Sequence, residues 1–470
     1  MMIDYTATYT DQYQLTMAQV YFLEGKKDDR AIFDYFFRKL PFKGGYAVFT
    51  GLEDLLTVLK NLTFNDEDLQ FLKTLNFDPR FLEFLKGFTF KGNIYAMNEG
   101  DLAFPTCPVL QVDANIIEAQ IIETVLLNIL NFQTLIATKA SRMRQAAGED
   151  HALMDFGLRR AQGPGGLYAS RAAVIGGFDS TSNVRAGRDY GLPITGTMAH
   201  SFIQSYDSEL ESFRHYARVN PENCVLLVDT YDTLKSGIPN AITVGREMEA
   251  QGRRLKGIRL DSGDLAYLAR RSRHMLDEAG LQHVSIAASN QIDEYIIRSL
   301  LYQKAPIDVF GVGTSLVTGA PDAALDGVYK LAFAGGKPRI KLSENIKKTT
   351  LPHRKQIFRM SDETGHLAGA DAVSLVDERD IRQIHHPHEP DKTLSLKGFT
   401  RQPMLNKVME NGKRVNDPRS VQQLSSYCKS RLAQLPGEYK RFEYPHFYKV
   451  GISDKLKKER DLLIEAYSLL

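Results

Sequence analysis

Gly257-Ile258-Arg259-Leu260-Asp261-Ser262-Gly263-Asp264 is a short apolar run that stops at charged residues and a glycine, and a helix-forming stretch, Leu265 to Glu278, follows it. The same event recurs from Ala152 to Val317. It is seen at Met154-Asp155-Phe156-Gly157-Leu158-Arg159-Arg160, Phe178-Asp179-Ser180-Thr181, Gly196-Thr197-Met198-Ala199-His200, Leu227-Val228-Asp229-Thr230, Ala288-Ser289-Asn290 and Phe310-Gly311-Val312-Gly313-Thr314-Ser315. Buried parallel strands are apolar on both faces and return through helices, so this punctuation predicts a parallel β/α fold. Such folds work at the carboxyl ends of their strands. Polar side chains at one junction after another therefore mark an enzyme.

Within this region the spacing predicts strands at 226–228, 257–260, 284–287 and 307–310, with helices at 265–278 and 293–302 between them. Two further strands, 328–333 and 339–342, lead out of the repeat. Ahead of it, 116–147 is expected as one helix or two joined near Phe132. The first part of the chain is mixed α/β: Thr10-Asp11 caps a helix carrying Tyr13 and Met17, Ala31 to Phe37 is a strand, Pro41 to Gly45 a turn, and another strand lies near 93–97. From about Asp371 charged loops alternate with weak strands, and a basic helix near 453–469 closes the chain. The expected domains are 1–115 (N-terminal α/β), 116–345 (catalytic β/α) and 346–470, a C-terminal region packing partly on the N-terminal one.

Composition narrows the class. Lys+Arg 59 against Asp+Glu 57 leaves a net charge of +2, so no global field holds nucleic acid or a membrane, and any anion must meet a local site. The start, Met1-Met2-Ile3-Asp4-Tyr5, lacks the basic and apolar regions of a signal peptide, and the greasiest stretch, Ile116 to Leu130, carries Glu118, Glu123 and Asn128. Cys107, Cys224 and Cys428 form neither a C-x-x-C pair nor a disulfide framework. A soluble protein of the reducing cytoplasm is expected.

The junctions carry the chemistry. Gly311-Val312-Gly313-Thr314-Ser315 can bring backbone N–H groups close to a phosphate, or can be only a tight turn; no P-loop motif is present. Asp229 and Asp261 at neighbouring strand tips can hold Mg²⁺ or sugar hydroxyls, and Arg259 can grip a carboxylate or phosphate through two N–H groups. The bland alternative is a buried Arg259–Asp pair with Asp264 as a helix cap. Of Arg159 and Arg160, one is expected to face the barrel mouth and the other outward. Lys139, Arg142 and Arg144 on the preceding helix are expected to be solvated or to complement the helix dipole. His200 can act as a base or as a nucleophile toward phosphoryl groups, or simply pack. His385-His386-Pro387-His388 is expected as a solvated loop rather than a metal tract. Together the junctions suit a phosphorylated sugar bound with Mg²⁺.

Five stretches in order resemble the nicotinate phosphoribosyltransferase family: Thr10-Asp11-Gln12-Tyr13-Gln14-Leu15-Thr16-Met17, Gly157-Leu158-Arg159-Arg160-Ala161-Gln162-Gly163-Pro164, Gly196 to Phe202, Arg259 to Leu265, and Gly311 to Ser315. The resemblance implies an irregular β/α barrel of the type II phosphoribosyltransferases with an N-terminal α/β domain and a C-terminal extension. It implies transfer of phosphoribose from PRPP to nicotinate in NAD salvage, coupled to ATP hydrolysis through a phosphohistidine at the position of His200, with Mg²⁺. It further implies a homodimer with a shared active site, in which Tyr13 stacks on the pyridine from the neighbouring subunit; Phe156 matches the opposite stacking position of the related nicotinamide-specific enzymes. Thr197 and Arg259 match nicotinate contacts, Arg159 a contact to the base or PRPP, Gly311, Gly313, Thr314 and Ser315 the phosphate loop, Asp229 and Asp261 the ribose and Mg²⁺ carboxylates, and Asn290 a weaker substrate contact. PRPP needs cations at its pyrophosphate, a cradle at its 5-phosphate and carboxylates near an oxocarbenium-like ribosyl centre. Met198 stands where nicotinamide-using relatives carry an aspartate that receives the amide, which favours the acid. Nicotinamide or quinolinate as the base, and a catalytically inactive PRPP-binding relative, are the competing readings.

Overall fold

The computed structural model describes residues 5–389 and 391–468, except for the side chain of Lys347. Residues 1–4 and the Leu469 end of the expected last helix lie outside the described residues. Contacts divide the chain into two units, Met1–Thr138 with Ala324–Leu470, and Lys139–Ala323. This is a different partition from the three consecutive segments expected from sequence.

The unit 139–323 is built on a six-stranded sheet in the order Ser180–Thr181, Ala152–Asp155, Val309–Val312, Ser285–Ser289, Gly257–Leu260, Val225–Leu227. Every neighbouring pair is parallel. Leu153, Leu226, Ile258, Leu260, Ile286 and Phe310 are wholly buried, as strands covered on both faces require. Four of the helices in this unit start on side-chain caps that satisfy their first N–H groups: Asn183 accepts from Ala186, Ser208 from Glu211, Asp264 from Tyr267, and Asp293 from Tyr295 and Ile296. Asp264 is thus a cap. Gly237 lies against the Val228 carbonyl, where any Cβ would collide, so only glycine lets the Thr233–Gly237 turn press on the strand tip.

The strands fall within one or two residues of their expected positions, with one exception. No strand precedes Gly196–His200; a lone bridge, Thr181 to Ile194, ties that segment to the sheet edge. From there His200 Nδ1 reaches within 3.1 Å of Thr230 Oγ1, at the tip of the opposite edge strand. The segment leaving one edge meets the other, which curls the sheet into an irregular α/β barrel.

The second unit joins the first and last thirds of the chain. Its seven-stranded antiparallel sheet runs Lys337–Pro338, Gly327–Ala334, Arg30–Phe37, Leu110–Asn115, Asn93–Ala96, Asn406–Glu410, Lys413–Arg414. The expected strand at 339–342 is absent; the short Lys337–Pro338 strand pairs instead. A six-stranded mixed sheet contains Lys355–Ser361 and Leu367–Leu375. Inside this unit Arg359 is wholly buried and grips Asp371 at 3.0 and 2.8 Å and the Leu102 carbonyl at 2.7 Å, while Arg431 holds Asp101 at 2.8 Å. The bonds to Leu102 and Asp101 link residues more than 250 positions apart.

Three local expectations are corrected. The 116–147 helix breaks at Ile122, between Ile116–Ile121 and Glu123–Ala147, and not at Phe132. Lys139 and Arg142 are buried: Lys139 Nζ lies 2.5 Å and Arg142 Nε 2.9 Å from the carboxylate of Glu294, itself fully buried. Helical spacing shows which residues share a face but not that a carboxylate distant in sequence arrives to pair with them. His385 belongs to the strand Gln383–His385 and bonds Asp454 at 2.6 Å rather than lying in a solvated loop. No cluster of three metal-binding side chains occurs among the described residues.

Candidate active site

At the carboxyl ends of the parallel strands lies a cleft of about 520 Å³, lined by Phe156, Arg159, Arg160, Thr197, Met198, His200, Arg259, Asp261, Asn290, Gly311, Gly313 and Thr314 among others. Beneath it a narrower cavity of about 260 Å³ enters the barrel, sharing Phe156, Gly196, Thr197, Arg259 and Gly311 with the cleft. Ala287, Ala288 and Gly311 leave this space open because they carry little or no side chain.

Strand Ala152–Asp155 ends on a wholly buried carboxylate that organises the first wall. Asp155 accepts hydrogen bonds from the Gly157 N–H (2.8 Å), Ser170 Oγ (2.8 Å) and Thr181 Oγ1 (2.7 Å). Burial pushes its carboxyl up, and these three donors act against that shift. Sequence reasoning passed over Asp155; a carboxylate closing an apolar strand was the available signal. The turn it pins presents Phe156, whose ring lies over Gly311 so closely that a Cβ there would strike it. Gly311 therefore makes room for the ring from within the strand Val309–Val312, a role distinct from the phosphate cradle expected of it. Both Arg159 and Arg160 are exposed and border the cleft, so the expected division into one inward and one outward arginine is not observed.

Arg259 projects from the strand Gly257–Leu260, next to the Val225–Leu227 edge strand. Its Nη1 donates to Thr197 Oγ1 at 2.5 Å and to the Met198 carbonyl at 3.2 Å, and its Nη2 lies 3.6 Å from Asp261. Its Nε is buried without a partner. Burial lowers the pKa of this guanidinium, and Asp261 and Asp229 only partly counter that. It remains a cation with a donor to spare.

The aspartates are ordered by their neighbours. One oxygen of Asp229 accepts from the Asp261 N–H at 2.8 Å and Ser262 Oγ at 2.7 Å, while the other, Oδ1, is buried and unbonded. Asp261 accepts a hydrogen bond from the hydroxyl of Ser289, a buried residue whose partner no local sequence signal reveals. His200 Nε2 lies 3.8 Å from Asp261 and 4.0 Å from Asp229, with Nδ1 on Thr230. A buried carboxylate oxygen lacking a donor is costly unless a cation or hydroxyl meets it.

The remaining predicted residues divide. Asn290 is exposed in the cleft with φ of 77°, and Gly313 and Thr314 border it. Ser315 is not among the lining residues; its hydroxyl donates to the Ile292 carbonyl at 2.5 Å. Tyr13 belongs to the other unit, where it stands half exposed on the helix Gln12–Leu23.

Comparison with known proteins agrees with this geometry. Family models described as the nicotinate phosphoribosyltransferase N-terminal domain, family and C-terminal domain match residues 8–131, 151–366 and 354–460. A relative from Bacillus subtilis named nicotinate phosphoribosyltransferase is 43% identical, covering 96% of this chain and 94% of its own. A similarly named protein from Bos taurus is 35% identical, covering 97% and 96%. The crystal structure of human nicotinic acid phosphoribosyltransferase superposes with a TM-score of 0.86 at 32% identity, covering 97% of this chain and 99% of that one. With a strand arginine, Asp261 and His200 lining one cleft and Asp229 bonded to the Asp261 N–H, the chain belongs to the nicotinate phosphoribosyltransferase family.

Proposed function

We propose that this protein transfers the phosphoribosyl group of PRPP to nicotinate, forming nicotinate mononucleotide and pyrophosphate in NAD salvage. The observation that carries the reading is Arg259: a largely buried guanidinium with an unbonded Nε, set beside Thr197 and the Phe156 ring at the neck of a cavity of about 260 Å³. An aromatic carboxylate fits that neck, its ring against Phe156 and its carboxylate on Arg259. The ring nitrogen attacks C1 of the ribose, the C1–O bond to pyrophosphate breaks, and Asp229 and Asp261 stabilise the positive charge that develops. Arg159 and Arg160 suit the pyrophosphate, and Asn290, Gly313 and Thr314 the phosphoribosyl end. Met198 presents an apolar side chain where an amide would need an acceptor, in keeping with nicotinate rather than nicotinamide.

Asp229, through its unbonded Oδ1, and Asp261 are the residues that would hold Mg²⁺, with water and phosphate oxygens completing a site of only two protein carboxylates. When bound, the ion neutralises the pyrophosphate leaving group. His200 is the residue proposed to accept the γ-phosphoryl group of ATP: the O–P bond to ADP breaks, an N–P bond forms, and water later releases phosphate. Nε2 is its available nitrogen, since Nδ1 is engaged by Thr230. Tyr13 is proposed to complete the site from a second copy of the chain; its helix is pinned by Gln14, which donates to Glu123 at 3.0 Å. A cytoplasmic location fits three buried free cysteines.

The test is formation of nicotinate mononucleotide from nicotinate and PRPP with and without ATP, alongside the same assay with nicotinamide. Nicotinate is expected to be preferred and ATP to accelerate the reaction. In His200→Ala the acceleration is expected to vanish while a slow PRPP-driven rate persists. A full ATP response in that variant would remove the phosphohistidine from the mechanism, and a preference for nicotinamide would overturn the choice of base.

A further inference from the structure

The loop joining strand Ser285–Ser289 to helix Glu294–Tyr302 puts two consecutive non-glycine residues, Asn290 (φ 77°) and Gln291 (φ 49°), in the left-handed region. L-residues adopt it reluctantly, and such turns persist only where their surroundings over-determine them. Both residues border the cleft. The loop is tethered on both sides. Before it, the Ser289 hydroxyl bonds Asp261. After it, Ser315 Oγ donates to the Ile292 carbonyl at 2.5 Å, and Asp293 caps the helix through the Tyr295 and Ile296 N–H groups at 2.9 and 2.8 Å. Glu294 is then clamped, fully buried, between Lys139 and Arg142. A buried ion cluster is weak as a source of net stability but strong as a constraint on direction.

We propose that Ser315 is a positioning residue: its hydroxyl locks the strained Asn290–Gln291 turn to the start of the short helix Thr314–Val317, which Gly313 precedes, so that two sides of the cleft keep one spacing at the phosphoribosyl end. The proposal rests on the reaction argued above for the identity of the ligand, but not for the tether itself. Ser315 acts through the Ile292 carbonyl and not by touching phosphate. The Lys139–Glu294–Arg142 clamp supplies the fixed end against which this single bond works.

Ser315→Ala and the conservative Ser315→Thr separate the alternatives. Amide exchange of the 289–293 segment in the ligand-free protein, KM for PRPP, kcat and Tm are measured for each. Losing one neutral hydrogen bond is worth about a fivefold effect, so Ser315→Ala is expected to raise exchange and KM for PRPP roughly fivefold, with kcat changed less than about twofold and Tm nearly constant. Ser315→Thr is expected to restore both. Unchanged exchange overturns the proposal; if KM rises with exchange unchanged, Ser315 is a direct ligand contact instead. A lowered Tm with unchanged KM reduces the bond to a structural one and also overturns it. Absence of turnover by the unsubstituted protein with nicotinate and PRPP would sink the reaction assignment, while the exchange measurement would still decide the tether.

Discussion

Arg359 and Arg259 are both strand arginines removed from water, one in each unit, and their surroundings pull them in opposite directions. Burial works against the charge of Arg359, yet Asp371, Tyr448 and Asp101 outweigh it and hold the guanidinium well above its ordinary value. Around Arg259 burial wins, and Asp261 and Asp229 do not make up the difference. Arg359 meets both oxygens of one carboxylate with no exposure, and its Nη1, though unbonded, lies 3.8 Å from a second carboxylate, Asp101; Arg259 meets a hydroxyl, a carbonyl and a single aspartate at 3.6 Å, with Nε unbonded. An over-compensated cation holds a fold together. An under-compensated one retains affinity for an anion that is not part of the chain.

Substitution tests this contrast most severely at Arg359. Arg359→Leu leaves Asp371 and Asp101 buried with less pairing, which costs about 3–5 kcal/mol, so Tm is expected to fall by about 5–10 °C while the KM for nicotinate of the folded fraction stays near that of the unsubstituted protein. A Tm within a degree of that protein would show that the network is not structural. Arg259→Ala should do the reverse: kcat/KM for nicotinate is expected to drop by about 10²–10³, the scale of losing a charged contact to the reacting ligand, with Tm little changed. Collapse of the fold on that substitution would erase the distinction drawn between the two arginines.

A smaller effect compares the two units through their thiols. Burial pushes Cys224, in the barrel, and Cys428, in the other unit, from an ordinary value near 9 up to about 12. Both stay neutral thiols in the native state at pH 8, so neither is expected to take up iodoacetamide until the protein is unfolded in urea, as followed by mass spectrometry. The sign for stability follows: the raised folded values leave stability intact below pH 9 and erode it as pH rises from 9 toward 12. Native labelling of one cysteine but not the other would identify the unit that opens more readily.

Much of the barrel was legible because its signals are local. Strands 257–260 and 285–289, the helix 265–278 and the Asp264 cap each depend on a few adjacent residues. Arg259, Asp261 and His200 could be picked out for the same reason: each ends an apolar run or follows a glycine. Asp155 and Ser289 were not assigned a role, since their importance lies in partners elsewhere: Thr181 and Ser170 for one, Asp261 for the other. Lys139 and Arg142 looked like surface charges until Glu294 arrived from 152 or more positions away.

By itself the sequence determined that this is a parallel β/α protein of the nicotinate phosphoribosyltransferase family, with its polar residues at strand tips. Periodicity and the punctuation of buried strands act over a few residues, and five motifs in order carry the kinship. Only the tertiary structure decided that residues 116–138 and 324–345 join the unit of the chain's two ends rather than the barrel, that Ser315 bonds the Ile292 carbonyl, and that Arg259 keeps an unbonded donor. Those outcomes depend on whether each buried charge or hydroxyl finds a partner, and its partners come from distant parts of the chain that folding alone brings together.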